Sequence, residues 1–448
     1  MTYIDRLKIF LRNPFKGDLT IWIIFMLLCF VSLVEVYSAT STLAYKNLHF
    51  WSPIVRHAKF LFGGFIAVLV LQLIPHKYFA LAIILLPISI IMLAITPFIG
   101  VKINEAYRFL SFMGVQFQPS EFGKMACIVF VAFMLSKRFS PDRTFWIILI
   151  GVSITCLLIV HENFSTAVLL FVVCFLMMFV GQMPLKKMLL LTLVLIFSAG
   201  FVVFTLRSIS DEFIEEHCPS QFQNRVLTIK GRVDDFGKDK GENKYAITDD
   251  NFQVSHAKIA IARGSIIGQL PGRSVQRDFL PQAYSDFIYA IIIEEMGLIV
   301  GGVGVMMLYV ILMIRVAIIA RRCKKLFPKY LALGCGLLIV VQAFINMAVA
   351  VNLIPVTGQP LPLISRGGTS TMLTCFYFGI ILSVSRFGAG MGDEEEDEDN
   401  EEEEEEIMDN DENDEFTEID ETGDSMKTDE TGNFMEVDET GNFMEVDA

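Results

Sequence analysis

Leu280-Pro281-Gln282-Ala283-Tyr284-Ser285-Asp286-Phe287 marks a border in the chain. Before it runs the longest polar connection between apolar segments, residues 207–285. After it the sequence turns apolar at once and stays so for the length of a membrane span. Asp286 stands on the border, and Glu294 and Glu295 lie inside the apolar run. Carboxylates at a membrane border or within a span are costly and by default point to function. On an ideal helix Glu294 lies about 12 Å beyond Asp286 and is rotated by about 80°, and Glu295 by about 180°. The three therefore do not form one carboxylate dyad. Glu294 and Glu295 read as structural ionisable residues, held by a cation or by backbone groups within a bundle.

The rest of the chain repeats the pattern of that run. Its 448 residues are 53% hydrophobic, with a mean hydropathy of +0.53. The apolar residues fall in runs of about 17 to 23, which suits bilayer-spanning helices better than the cores of soluble domains. The expected fold is an all-α polytopic membrane protein with ten transmembrane helices. They are placed near 19–38, 57–75, 78–98, 121–136, 145–160, 167–181, 188–206, 287–314, 331–351 and 370–385. The first run is longer than a signal-peptide core and reads as a retained span. With the N-terminus inside, short inside segments carry 17 Lys and Arg against five in short outside loops. Both termini are thus expected in the cytoplasm. Residues 1–18 form the cytoplasmic N-terminus, 19–389 the membrane domain, and 207–285 a large extracytoplasmic loop between helices 7 and 8.

The net charge of −14 conceals two opposite halves. From Asp393 onward there are 29 acids and one lysine, leaving 21 acids and 35 bases, a net of +14, in the body. The acidic stretch repeats Asp-Glu-Thr-Gly at Asp420, Asp429 and Asp438. Such a composition buries too little apolar surface to fold alone, so 390–448 is expected as a disordered acidic cytoplasmic tail, solvated or binding a basic partner. Eight dispersed cysteines show no metal-ligand spacing and imply no disulfide framework. Within the large loop, 238–244 is polar and read as mobile. Phe252 to Ala262 has helical apolar spacing and stops near Gly264. This amphipathic helix docks either on the membrane surface or on the bundle.

Three outward-facing segments carry unusual chemistry. The first is Arg108-Phe109-Leu110 with Gln118-Pro119-Ser120-Glu121-Phe122-Gly123-Lys124. Proline followed by an acid is a helix start, which accounts for Pro119 and Glu121. Lys124, one turn on, either pairs with Glu121 or joins Arg108 in an anion site. The second is Asn352 to Ser370, with three prolines and three glycines between two spans. Irregular backbone at a membrane border survives where it is buried in protein or lines a cavity, so this segment reads as a pocket wall more than a connector. The third is the opening stretch, where Asp286 either caps the following helix, as Ser285 could equally do, or serves as a general base. His161-Glu162-Asn163 is a short polar outside turn, which either lines the same cavity or, the favoured reading, is a plain connection. There is no P-loop, dinucleotide fingerprint, HExxH or paired CxxC motif, and no nucleic-acid partner is expected.

At these three segments the chain resembles the SEDS family (shape, elongation, division and sporulation proteins), typified by RodA and FtsW. The matching residues are Gln118–Lys124, Leu280–Ala290 with Glu294-Glu295-Met296-Gly297, and Pro355–Pro362 with Ser365–Ser370. The likeness spans roughly 19–389 and leaves out the tail. The Leu-Pro-x-Ala ahead of Asp286 is more like the FtsW branch. The resemblance implies a peptidoglycan glycosyltransferase that polymerises lipid II at the outer face of the cytoplasmic membrane, at the division septum. It makes Asp286 the general base. It places Arg108, Gln118, Ser120, Glu121, Lys124, Thr357, Gly358, Pro360, Ser365, Gly367 and Gly368 around the substrate. It implies a class B penicillin-binding protein as partner and assistance by a divalent cation such as Mg or Mn, although no dedicated metal site stands out; apart from the resemblance, the acidic tail is the expected contact for other division proteins. The chain departs from the family at Gln282, Tyr284, Phe109 and Arg366. Transport of lipid II and a non-catalytic scaffold are the competing functions. No inverted repeat favours transport.

Overall fold

A computed structural model describes residues 15–39, 52–103, 106–112, 115–137, 139–209, 251–280 and 284–388, with single positions between 226 and 247 and short stretches beyond 426. The sequence expectations for 238–244 and Gln282 lie outside the described residues. So does the side chain of Arg108.

Helices dominate. They are α1 (Leu19–Ala39), α2 (Ser52–Leu71), a 3-10 turn (His76–Ile84) leading into α3 (Leu85–Ile99), α4 (Pro119–Ser136), α5 (Pro141–Glu162), α6 (Phe164–Val180) and α7 (Leu185–Ser208). Then follow α8 (Phe252–Gly264), α9 (Ile288–Gly297), a π-helical stretch (Leu298–Gly304), α10 (Val305–Arg322), α11 (Leu326–Ala350) and α12 (Thr369–Gly388). Among the described residues nine segments are long and apolar enough to cross a membrane, and α6 is a shorter apolar helix of 17 residues.

Local chemistry sets the helix starts. Asp18 accepts the Ile21 N–H at 3.2 Å as an N-cap of α1, and its other oxygen takes Arg315 Nε at 2.6 Å. Pro119 and Pro141 enter their helices in the first turn, each with an acid behind it, Glu121 or Asp142. Asn163 caps α6 by accepting the Ser165 N–H at 3.1 Å, so His161-Glu162-Asn163 is the junction of two helices.

The core is arranged around α11, which packs on α4, α6, α10 and α12. The α4, α11 and α12 helices are largely buried, whereas α7 buries only Met188 among its 24 residues. A helix apolar all round with so little protein contact is solvated by lipid.

Three features depart from the sequence reading. First, the all-α expectation misses a three-stranded antiparallel meander before α4: β1 (Val101–Ile103), β2 (Ala106–Phe112) and β3 (Val115–Phe117). Aromatic and β-branched residues recur there in a two-residue rhythm that favours strands. Second, the span expected as one helix over 287–314 is broken at Gly297, whose φ is 78°. Third, the tail forms a unit of its own, Asp393–Ala448. Its described residues are antiparallel strands β4 (Lys427–Thr428), β5 (Phe434–Val437) and β6 (Phe443–Glu445). For these residues the expectation of no regular structure does not hold. The nine-residue repeat sets the Phe-Met-Glu of β6 against the Phe-Met-Glu-Val of β5, residue types that favour strands.

Candidate functional site

The opening stretch is clamped through its backbone. The Tyr284 carbonyl accepts the Arg366 N–H at 3.0 Å, the Ser285 carbonyl accepts the Ser365 hydroxyl at 2.8 Å, and the Asp286 carbonyl accepts Asn346 Nδ2 at 3.0 Å. Three successive carbonyls thus find three donors, two from the 352–370 segment and one from α11. The helix begins after them, with Phe287 at the cap position and no side chain capping it. Neither Asp286 nor Ser285 is the cap, because the chain enters the helix later than either. Instead the Ser285 hydroxyl donates to Asp286 Oδ1 at 2.9 Å. Phe287 is buried at 1% exposure and anchors the turn, while the neighbouring Asp286 is half-buried.

The 352–370 segment is a packed wall. Gln359, Leu361, Leu363, Ile364 and Ser365 are all buried. Asn346 and Gln342, one turn apart on α11, donate to the Gln359 carbonyl at 2.7 Å and the Pro360 carbonyl at 2.9 Å. The Ser365 hydroxyl also accepts the Leu361 N–H at 2.7 Å, and Tyr309 Oη donates to the Pro362 carbonyl at 2.6 Å. Leu363 is held at a φ of 67°, which a branched side chain adopts only when its surroundings force it. Gly358 and Gly368 take positive φ of 66° and 44° without that cost. The Thr357 hydroxyl is buried and has no hydrogen-bond partner among the described residues. Gly367 sits tightly against Ser370.

The Gln118–Lys124 segment resolves toward its simpler reading. Lys124 Nζ lies 2.7 Å from Glu121 Oε1, and Lys124 is 1% exposed. Gln118 Nε2 donates to the Ser120 hydroxyl at 3.0 Å. The Lys124 charge is therefore balanced inside the bundle, while the anion site expected with Arg108 turns on a side chain outside the described residues.

Glu294 and Glu295 hold a re-entrant strap. Glu294 accepts the Ser274 hydroxyl at 2.5 Å and the N–H groups of Val275 and Gln276 at 3.2 and 3.3 Å, with Arg263 Nε at 3.5 Å. Glu295 accepts the N–H groups of Gly272 and Ser274 at 3.0 and 3.2 Å and the Ser38 hydroxyl. Arg277 closes the group by donating to the Ser38 carbonyl and hydroxyl at 3.1 and 2.9 Å. The break at Gly297 frees backbone groups that the strap satisfies. Gln269 N and Leu270 N donate to the carbonyls of Glu294 and Glu295, and Leu298 N donates to the Ser265 carbonyl. Upstream, α8 packs on α9 with His256, Ala257, Ala260 and Gly264 buried, so the amphipathic helix docks on the bundle.

A dedicated cage for a divalent cation does not fit these residues. Glu294 and Glu295 are committed to the strap, and among the described residues no group of three or more His, Cys, Asp or Glu could hold a metal ion. Asp286 with the Ser285 hydroxyl offers one carboxylate.

The sequence reading missed Asn346, Gln342 and the strap residues Ser274 and Arg277. Two amides four residues apart in an apolar span were the available signal for the first pair.

Residues 18–389 match the model of the FtsW/RodA/SpoVE family, described as cell cycle proteins. Among curated relatives, the probable peptidoglycan glycosyltransferase FtsW of Geobacter metallireducens is 30% identical over 393 residues, covering 84% of this chain and 97% of its own length. That of Nitrosococcus halophilus is 31% identical over 308 residues, covering 67% and 73%. Among solved structures, a chain from a study of how a peptidoglycan synthase complex coordinates polymerization and crosslinking aligns with a TM-score of 0.64 at 22% identity, covering 83% of this chain and 98% of that one. The rod shape determining protein RodA of Thermus thermophilus aligns at 0.58 and 20% identity, covering 83% and 97%. By the family match over most of its length, the chain belongs to the FtsW/RodA/SpoVE family.

Proposed function

We propose that the chain is a peptidoglycan glycosyltransferase that polymerises lipid II at the outer face of the cytoplasmic membrane during cell division, with Asp286 as its general base. The observation that carries the residue assignment is the clamp on the carbonyls of 284, 285 and 286. It fixes the backbone under Asp286 and leaves the carboxylate unused as a helix cap. Rigid placement of a half-buried carboxylate suits proton abstraction at a fixed point. Asp286 takes the proton of the acceptor sugar 4-hydroxyl. That oxygen forms the new bond to the donor anomeric carbon, and the bond from this carbon to undecaprenyl diphosphate breaks.

Ten spans with both termini cytoplasmic accompany this reading, with α6 as the short span and Asp286 outside. On this reading Thr357, Gly358, Pro360, Ser365, Gly367 and Gly368, with Gln118, Ser120, Glu121, Lys124 and Arg108, are the substrate-binding residues. A class B penicillin-binding protein is the transpeptidase partner, in keeping with the synthase-complex neighbour, and the septum is the working site.

The test is polymerisation of labelled lipid II in detergent by the purified chain with that partner. Glycan strands from the wild type and none from a folded Asp286→Ala support the reading, whereas normal strands from Asp286→Ala overturn the base assignment. The discontinuous span at Gly297 favours transport as the second reading. Detergent removes sidedness, so a pure transporter yields no polymer in this assay.

A further inference from the structure

Arg366 lies beside the clamp. Its N–H holds the Tyr284 carbonyl, and its guanidinium carbon sits 5.2 Å from the Tyr284 ring centroid. Ser32 of α1 and the N-terminal half of α2 reach the same place. Ser32 donates to the Ile364 carbonyl at 3.0 Å and lies 2.8 Å from His57 Nε2, while the Phe60 ring borders Gly368. These contacts seat Arg56, next to His57, against the segment that carries Arg366. Burial, first, and the neighbouring Arg56 pull Arg366 below the ordinary guanidinium range, while Tyr284 opposes the fall. Among the described residues no carboxylate pairs with either arginine. Lys124, by contrast, is spent on Glu121.

Two guanidiniums that repel, one of them half-buried, meet no counter-charge among the described residues. Desolvated charge is costly until paired, so the arrangement favours binding an anion. The cation–π contact with Tyr284 holds the Arg366 guanidinium beside the ring, and a guanidinium offers the forked donor geometry that suits phosphate. The site stands where the Ser365 and Ser285 link brings the loop to Asp286.

We infer that Arg366 and Arg56 form an anion site for the diphosphate of a lipid-linked substrate, beside Asp286 and separate from the Glu121–Lys124 pair. The identity of the lipid rests on the glycosyltransferase reading, whereas the phosphate chemistry does not. The headgroup of a bulk anionic phospholipid offers related chemistry, and the test separates the two sources.

The full chain is placed in phosphatidylcholine nanodiscs and titrated with farnesyl diphosphate. Wild type is expected to bind, with Arg366→Gln, Arg366→Tyr and Arg56→Gln each about tenfold weaker and Arg366→Lys intermediate, as expected for loss of one charge-assisted contact. Arg366→Tyr keeps an aromatic contact with Tyr284 and removes the charge, so its loss of binding reports the cation. Circular dichroism and thermal unfolding establish that each variant is folded. Unchanged binding in folded Arg366→Gln and Arg366→Tyr overturns the site. Replacing part of the phosphatidylcholine with phosphatidylglycerol is expected to leave binding nearly intact, whereas full displacement assigns the arginines to bulk lipid and also overturns it. In the polymerisation assay, Arg366→Gln should raise the lipid II concentration at half-maximal rate about tenfold, more than it lowers the maximal rate. If wild type makes no polymer, the glycosyltransferase reading fails, and the farnesyl diphosphate arm still decides the anion site.

Discussion

Asn346 holds two walls together with one amide group. Its Nδ2 serves the carbonyls of Asp286 and Gln359, and the residue is 1% exposed. Losing a donor to a buried acceptor costs about 1–3 kcal/mol per group. Asn346→Ala should therefore lower the unfolding midpoint and the maximal polymerisation rate. Asn346→Asp matches the shape without the N–H donors and should lose comparable rate. Wild-type rate in Asn346→Asp would show that the amide does not position Asp286. Sequence alone singles out Asp286 as a candidate because a carboxylate at a membrane border is costly. It does not reach Asn346, whose partners lie 13 and 60 residues away in the chain. Nor does sequence decide whether Lys124 faces Glu121 or a cavity, since one helical turn permits both.

The element that distinguishes this bundle is the strapped, broken span. Hydropathy reads 287–314 as one helix, because single glycines in an apolar run leave the average unchanged. The break needs Gly297 at a φ of 78°, with the strap backbone at Ile266 and Gly268 pressed against it. A Cβ there meets main chain that cannot turn aside, and at a φ of 78° and ψ of 172° the backbone is one that glycine alone adopts readily, so Gly297→Ala adds a clash to about 1–3 kcal/mol of backbone strain. Faster hydrogen exchange across 264–270 and a lower unfolding midpoint are expected. Exchange as slow as wild type would mean that the strap does not depend on the break. Glu294→Ala strands Ser274, Val275, Gln276 and Arg263 without their acceptor. Removing one partner of a buried charged network costs about 3–5 kcal/mol. Protease sensitivity within 264–280 should appear, and a strap as resistant as wild type would contradict its anchoring role.

At the scale of the molecule, membrane-length runs made the helices legible, because lipid leaves the backbone no partner except itself. The β1–β3 meander escaped, since its strands are of three to seven residues and sit between stronger apolar signals. The tail escaped for the opposite reason: charge density argued against structure, while the strands arise from a short repeat that pairs with itself. That tail carries a net charge of −28 beside a body of +14, and it lies wholly beyond the family match at 18–389. It forms its own compact unit from Asp393. The clamp, the wall and the strap all lie before that point. Truncation after Gly392 should therefore leave the polymerisation rate and unfolding midpoint of the body unchanged in detergent. Removing 29 acids should also strengthen retention on an anionic matrix at low salt, an effect that fades as salt screens the charges. A truncated chain that folds and binds farnesyl diphosphate but no longer polymerises lipid II would show that the tail contributes to the reaction.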